Sequence, residues 1–122
     1  MRLCSVSELV GKVFHTVTVD ADLMSVSFIA GDYAFQLFHK QDCCESVLVE
    51  DIVGELSDLE GSVILSAEEV TSDVHPDGVV KREVDSFTWT FYKFSTFKGS
   101  VTIRFFGQSN GYYSESVDCW QL

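Results

Sequence analysis

Two-residue periodicity in residues 86–117, SFTWTFYKFSTFKGSVTIRFFGQSNGYYSESV, constrains this chain more than any other feature. On the first arm Phe87, Trp89 and Phe91 alternate with Thr88, Thr90 and Tyr92. On the second, Val101, Ile103 and Phe105 alternate with Thr102, Arg104 and Phe106. Alternation sends successive side chains to opposite faces of a strand, where aromatic and β-branched residues pack well. The stretch reads as a β-hairpin bent at 95–100, then a polar loop and the start of a last strand. The apolar side of its arms is expected to supply the core.

The rest of the chain follows the same period. Alternating or apolar runs predict strands over 13–19, 23–30, 33–39, 46–53, 63–71 and 114–120, with Gly31-Asp32 as a tight hairpin turn. Capping-box spacing in Ser5-Val6-Ser7-Glu8 predicts a short helix over 6–10, and a second helical turn is expected over 57–60. His75-Pro76-Asp77-Gly78 marks a turn inside an excursion over 72–84. The expected architecture is a single β-rich domain over 1–122. About eight mostly antiparallel strands curl into a barrel-like or sandwich arrangement, with two short helices.

At 122 residues the chain can bury a core without metal or disulfide. No apolar run approaches the ~20 residues that a membrane span requires, and the first residues lack the long apolar stretch of a signal peptide. A cytoplasmic location is expected. Cys43 and Cys44 are adjacent and no C-x-x-C pair occurs, so all four cysteines are expected as free, mostly buried thiols.

The net charge is −11 and unevenly placed: residues 41–80 hold eleven acidic residues and no Lys or Arg. Such a field disfavours direct contact with nucleic-acid phosphates. It leaves a basic partner, a metal ion or a solvated surface open.

The chain also echoes itself. Ser7-Glu8-Leu9-Val10-Gly11-Lys12-Val13-Phe14 is matched in kind by Ser57-Asp58-Leu59-Glu60-Gly61-Ser62-Val63-Ile64, and Glu45-Ser46-Val47 by Glu115-Ser116-Val117. Helical turn, strands, polar loop and Glu-Ser-Val strand recur in one order, which suggests pseudo-repeat halves over 7–53 and 57–119.

The strings QDCCESV, EDIVGEL, TWTFYKF, KGSVTIRF and SNGYYSESV, in this order, resemble an uncharacterised small domain found in phage and bacterial genomes. The resemblance implies a phage or prophage accessory protein acting in a bacterial cytoplasm. It carries no activity and no site residue.

Two polar loops hold the chemistry-bearing residues. Loop 39–45 gathers His39, Asp42, Cys43, Cys44 and Glu45. A zinc site needs about four convergent ligands, and adjacent cysteines on an extended chain point opposite ways, so no metal ligand is assigned. Loop 108–115 offers amide, hydroxyl and phenol groups suited to a small polar ligand. If the halves are related, both loops share one end, and a groove would be lined by His39, Asp42, Glu45, Asn110, Tyr112 and Glu115.

No hydrolase, P-loop, zincin or dinucleotide motif occurs, and no catalytic residue or cofactor is assigned. The expected role is non-enzymatic: binding a host protein, itself basic or nucleic-acid-binding, through the acidic surface. The alternative is a small-ligand or metal-ion binder using loops 39–45 and 108–115. Neither direct nucleic-acid binding nor membrane insertion is expected. Unpaired strand edges leave a homodimer open.

Overall fold

The computed structural model describes residues 1–79 and 84–122; residues 80–83 of the predicted excursion lie outside the described residues. Among the described residues, nine strands form two antiparallel sheets: β1 (Arg2–Cys4), β2 (Thr16–Val19), β3 (Ser25–Ile29), β4 (Ala34–Phe38), β5 (Ser46–Val53), β6 (Ser66–Ser72), β7 (Ser86–Thr96), β8 (Gly99–Ser109) and β9 (Asp118–Gln121). One sheet runs β1-β9-β4-β3-β2 and the other β5-β8-β7-β6. The sandwich alternative holds, and no closed barrel forms among the described residues.

Two expectations need correction. The predicted helices are single 3-10 turns, Val6–Leu9 and Leu56–Leu59. In each, the chain leaves in an extended conformation at the next residue, and a glycine with positive φ follows: Gly11 at 85° and Gly61 at 70°. A left-handed glycine that soon after the turn leaves no room to propagate an α-helix. The strand count rises to nine because Arg2–Cys4 pairs with β9.

The order of the strands decides where the loops fall. Strands β2, β3 and β4 form a meander, and so do β6, β7 and β8. The strand after each meander does not stay: β5 crosses to pair with β8, and β9 crosses to pair with β4. The two glycine-bearing segments meet between the sheets, where Val13 bridges Val63. The Gly11 N–H donates to the Ile64 carbonyl and the Gly61 N–H to the Phe14 carbonyl, both at 2.8 Å. The first 3-10 turn packs near β6 and the second near β2.

The core lies between the sheets. It is built from Phe28, Phe35 and Leu37 of the first sheet and Tyr92, Phe94, Ile103 and Phe105 of the second, with Leu9, Phe14, Leu59 and Ile64 from the connecting segments. Burying each such side chain stabilises the fold by about 1.5–3 kcal/mol. On β8 the core residues are Val101, Ile103 and Phe105, as the alternation predicts. On β7 the core residues are Tyr92 and Phe94. The register pairs Tyr92 with Ile103 and Trp89 with Phe106, so the Phe87–Trp89–Phe91 triplet turns to the outer face. There the His75 ring stacks on Phe87 at 4.1 Å and accepts the Trp89 indole N–H at 3.2 Å. Arg104 lies over Trp89 and binds Glu50 at 2.6 Å, the cross-sheet carboxylate its apolar setting calls for.

Leu9 and Leu59 are both fully buried at the two 3-10 turns. Leu9→Ala and Leu59→Ala should each lower unfolding free energy by about 2–5 kcal/mol in urea titrations. A loss below about 1 kcal/mol at either position would contradict this placement of the turns.

A candidate ligand cleft between two crossover loops

Each crossing strand is reached through one of the polar loops: 39–45 leads from β4 into β5, and 110–117 from β8 into β9. Both loops fold around a buried carboxylate. Glu45 is held by His39 Nε2 at 2.6 Å, Cys43 N–H at 2.8 Å, Asp42 N–H at 3.0 Å and Gln41 Nε2 at 3.2 Å. Glu115 accepts from the Ser109 hydroxyl at 2.5 Å and the Thr88 hydroxyl at 2.8 Å. The spacing is the same in both loops, since His39 and Ser109 each precede their glutamate by six residues.

The hydrogen bond from His39, above all, and those from the loop N–H groups outweigh burial and lower the Glu45 pKa to about 2. The other ring nitrogen of His39 meets the Ser116 carbonyl at 2.7 Å. Both partners are acceptors, so an imidazole protonated on both nitrogens satisfies the two contacts. His39 thus ties the first loop to the segment that leads into β9. Gly107 is required for a related reason: a Cβ there would lie 2.6 Å from the Glu115 carbonyl oxygen, so only glycine lets the second loop approach β8.

Between the loops opens a cleft of about 720 Å³, lined by Cys44, Glu45, Ser46, Val84, Asp85, Gln108, Ser109, Asn110 and Tyr113. Glu45 and Asn110 line it directly. Glu115 sits behind Ser109, through their hydrogen bond, and His39 behind Glu45. Asp42 contributes its backbone N–H to Glu45 with its side chain exposed, and Tyr112 is 83% exposed; neither lines the cleft. Tyr113 supplies the aromatic wall instead. Asp85 and Val84 enter from the segment before β7, and no local sequence pattern marks them as neighbours of loops that lie 40 residues before and 24 after.

The expectation of four free thiols is overturned at the cleft's rim, where Cys43 and Cys44 are joined in a disulfide. Asp42 and Cys43 both turn their N–H groups toward Glu45, so this backbone is curled rather than extended and the neighbouring side chains converge. Cys4 and Cys119 are free thiols facing each other across β1 and β9. Burial, first, pushes the Cys119 thiol pKa upward. Among the described residues no cluster of three or more His, Cys, Asp or Glu side chains is arranged to hold a metal ion. Among the same residues no helix is long and apolar enough to cross a membrane.

Fold and cleft together define a small β-sandwich domain with two exchanged strands and a polar, ligand-sized opening where the exchanges begin. Residues 7–119 match the model of the family described as Domain of unknown function (DUF7448), and the chain belongs to that family. No curated protein and no solved structure matches it.

The Glu45 carboxylate makes stability pH-dependent. Its folded pKa is lowered from 4.5 to about 2, so its contribution is complete above about 4.5 and is lost as pH falls toward 2. Glu45→Gln should unfold more easily than wild type at pH 6, and the gap should narrow as pH falls from 5 to about 2. A gap that stays constant across that window, measured by urea titration, would contradict the ionised, hydrogen-bonded state of Glu45.

Proposed function

We propose that this domain is a non-enzymatic binding module and that the cleft between the crossover loops is its ligand site. One observation carries the reading: two polar loops far apart in sequence converge on an opening of about 720 Å³, within the roughly 300–1,000 Å³ typical of small-molecule sites. Among the described residues the lining includes the carboxylates of Glu45 and Asp85, the amides of Gln108 and Asn110, and no Lys or Arg. Glu45 spends its oxygens on its own loop, which leaves Asp85 and the two amides to meet a ligand. Such a surface suits a small, donor-rich or cationic molecule, with Tyr113 as a platform. The related loops and the exchanged strands support reading 7–53 and 57–119 as a duplicated unit, with the site formed where the copies trade strands.

A second reading, engagement of a basic host protein, is favoured by the run of eleven acidic residues without a cation over 41–80. The resemblance to phage and bacterial domains makes a protein of the bacterial cytoplasm the natural partner in that case. Charge complementarity would steer the encounter and weaken with salt.

Thermal unfolding in the presence of polyamines, agmatine and arginine tests the cleft. A ligand at about 100 times its Kd should add about 2.7 kcal/mol of stability. The gain should disappear in Asp85→Asn and Asn110→Ala. Stabilisation that survives both substitutions would place the ligand elsewhere, and no stabilisation by any of these compounds would reject a donor-rich small ligand.

A further inference from the structure

The two sheets present four edges, and three of them are closed by identifiable devices. Strand β1 is three residues long. Strand β2 is capped by Glu60, whose carboxylate accepts the Val17 N–H at 2.8 Å. Strand β5 is broken by a bulge between Val49 and Asp51, and its Val49 N–H is committed to the Leu23 carbonyl at 2.7 Å. Each device prevents an incoming strand from pairing.

Strand β6 has none of these three devices; the first 3-10 turn packs near it and residues 11–13 pair with 63–64 ahead of it, which leaves 66–72 without a ladder partner on that side among the described residues. The strand is seven residues long and pairs with β7 in unbroken register. On its other side it makes no backbone hydrogen bond among the described residues. Glu68, Glu69, Val70 and Thr71 are all exposed. The geometry points to β6 as a docking edge for an extended, basic segment of a partner protein, which adds as a further strand. The inference rests on the reading of this domain as a binder of a basic protein, and it says where and how that partner is held.

Charge selects the occupant. Opposite-charge pairs across adjacent strands are favourable and like-charge pairs are not. A second copy of this chain pairing antiparallel through β6 would bring Glu68 and Glu69 of both copies close together. Glu68 and Glu69 point to opposite faces of β6, so a strand carrying Lys or Arg at alternate positions would set its cations on one face, beside one of the two. Backbone ladder bonds supply the attachment and the side chains the choice, as in other strand-addition complexes.

The test uses the full chain and three blocked synthetic peptides of about eight residues, the length of an ordinary strand. One alternates Lys and Val. The second has the same sequence with alternate backbone nitrogens methylated, which keeps the charge and removes ladder donors. The third alternates Glu and Val. Binding is read by fluorescence anisotropy and its location by amide hydrogen exchange. The Lys-Val peptide should bind and slow exchange within residues 66–72. The methylated peptide should lose about tenfold or more in affinity, and the Glu-Val peptide should not bind. Equal affinity for the methylated peptide, or protection confined to other strands, would overturn the docking edge and leave the acidic-surface reading standing. Failure of the Lys-Val peptide to bind at low salt would remove both. A dimer of the chain alone with residues 66–72 protected would overturn the choice of a basic occupant in favour of a second copy.

Discussion

Each sheet of this domain is completed by a strand that belongs, in chain order, to the meander of the other. Strand β5 leaves β4 and closes on β8, while β9 leaves β8 and closes on β4. The exchange makes the two sheets one unit, because neither reaches its full width without the other's chain. It also forces two connections to cross between sheets at the same end, and a connection that crosses must satisfy its own backbone groups away from a ladder. In the first connection a buried glutamate answers that demand, and in the second a buried glutamate ties side chains together. Glu45 collects two backbone N–H groups and two side-chain donors; Glu115 collects two hydroxyls. The cleft is what remains between two loops folded inward around their own carboxylates.

The same constraint explains where the charge goes. An acidic chain of this kind uses part of its carboxylates as structural acceptors. Glu45 caps a loop, Glu60 closes the edge of β2, and Glu50 holds Arg104 on the outer face of β8. Ionised acceptors make stronger hydrogen bonds than neutral ones, and hydrogen bonding to a carboxylate favours its charged form. What is left at the surface, on β6 and at the cleft, includes Glu68, Glu69 and Asp85.

Strand identity was legible wherever alternation persisted for several residues, as in 46–53 or across the 86–109 hairpin. Arg2–Cys4 offers three residues, too few for a period to register, and becomes a strand only because β9 lies beside it. Which face of β7 enters the core was not legible from its own sequence, because both faces carry aromatics. Register against β8 decides it, matching Tyr92 with Ile103. The two polar loops could be read as a pair from Glu45-Ser46-Val47 and Glu115-Ser116-Val117. Their third wall, Val84 and Asp85, is a product of tertiary packing with no local signature. The Cys43–Cys44 bond was hidden for a similar reason: it depends on a loop curled around Glu45, and the residues alone suggested an extended chain.

His39 links the crossover loops, through Glu45 on one side and the Ser116 carbonyl on the other. Amide hydrogen exchange in His39→Ala measures that link directly. Exchange should accelerate together in residues 41–46 and 114–118, with β3 and the β7–β8 ladder still protected. Faster exchange in 41–46 alone would show that the loops are held independently, and the cleft would then have no shared support.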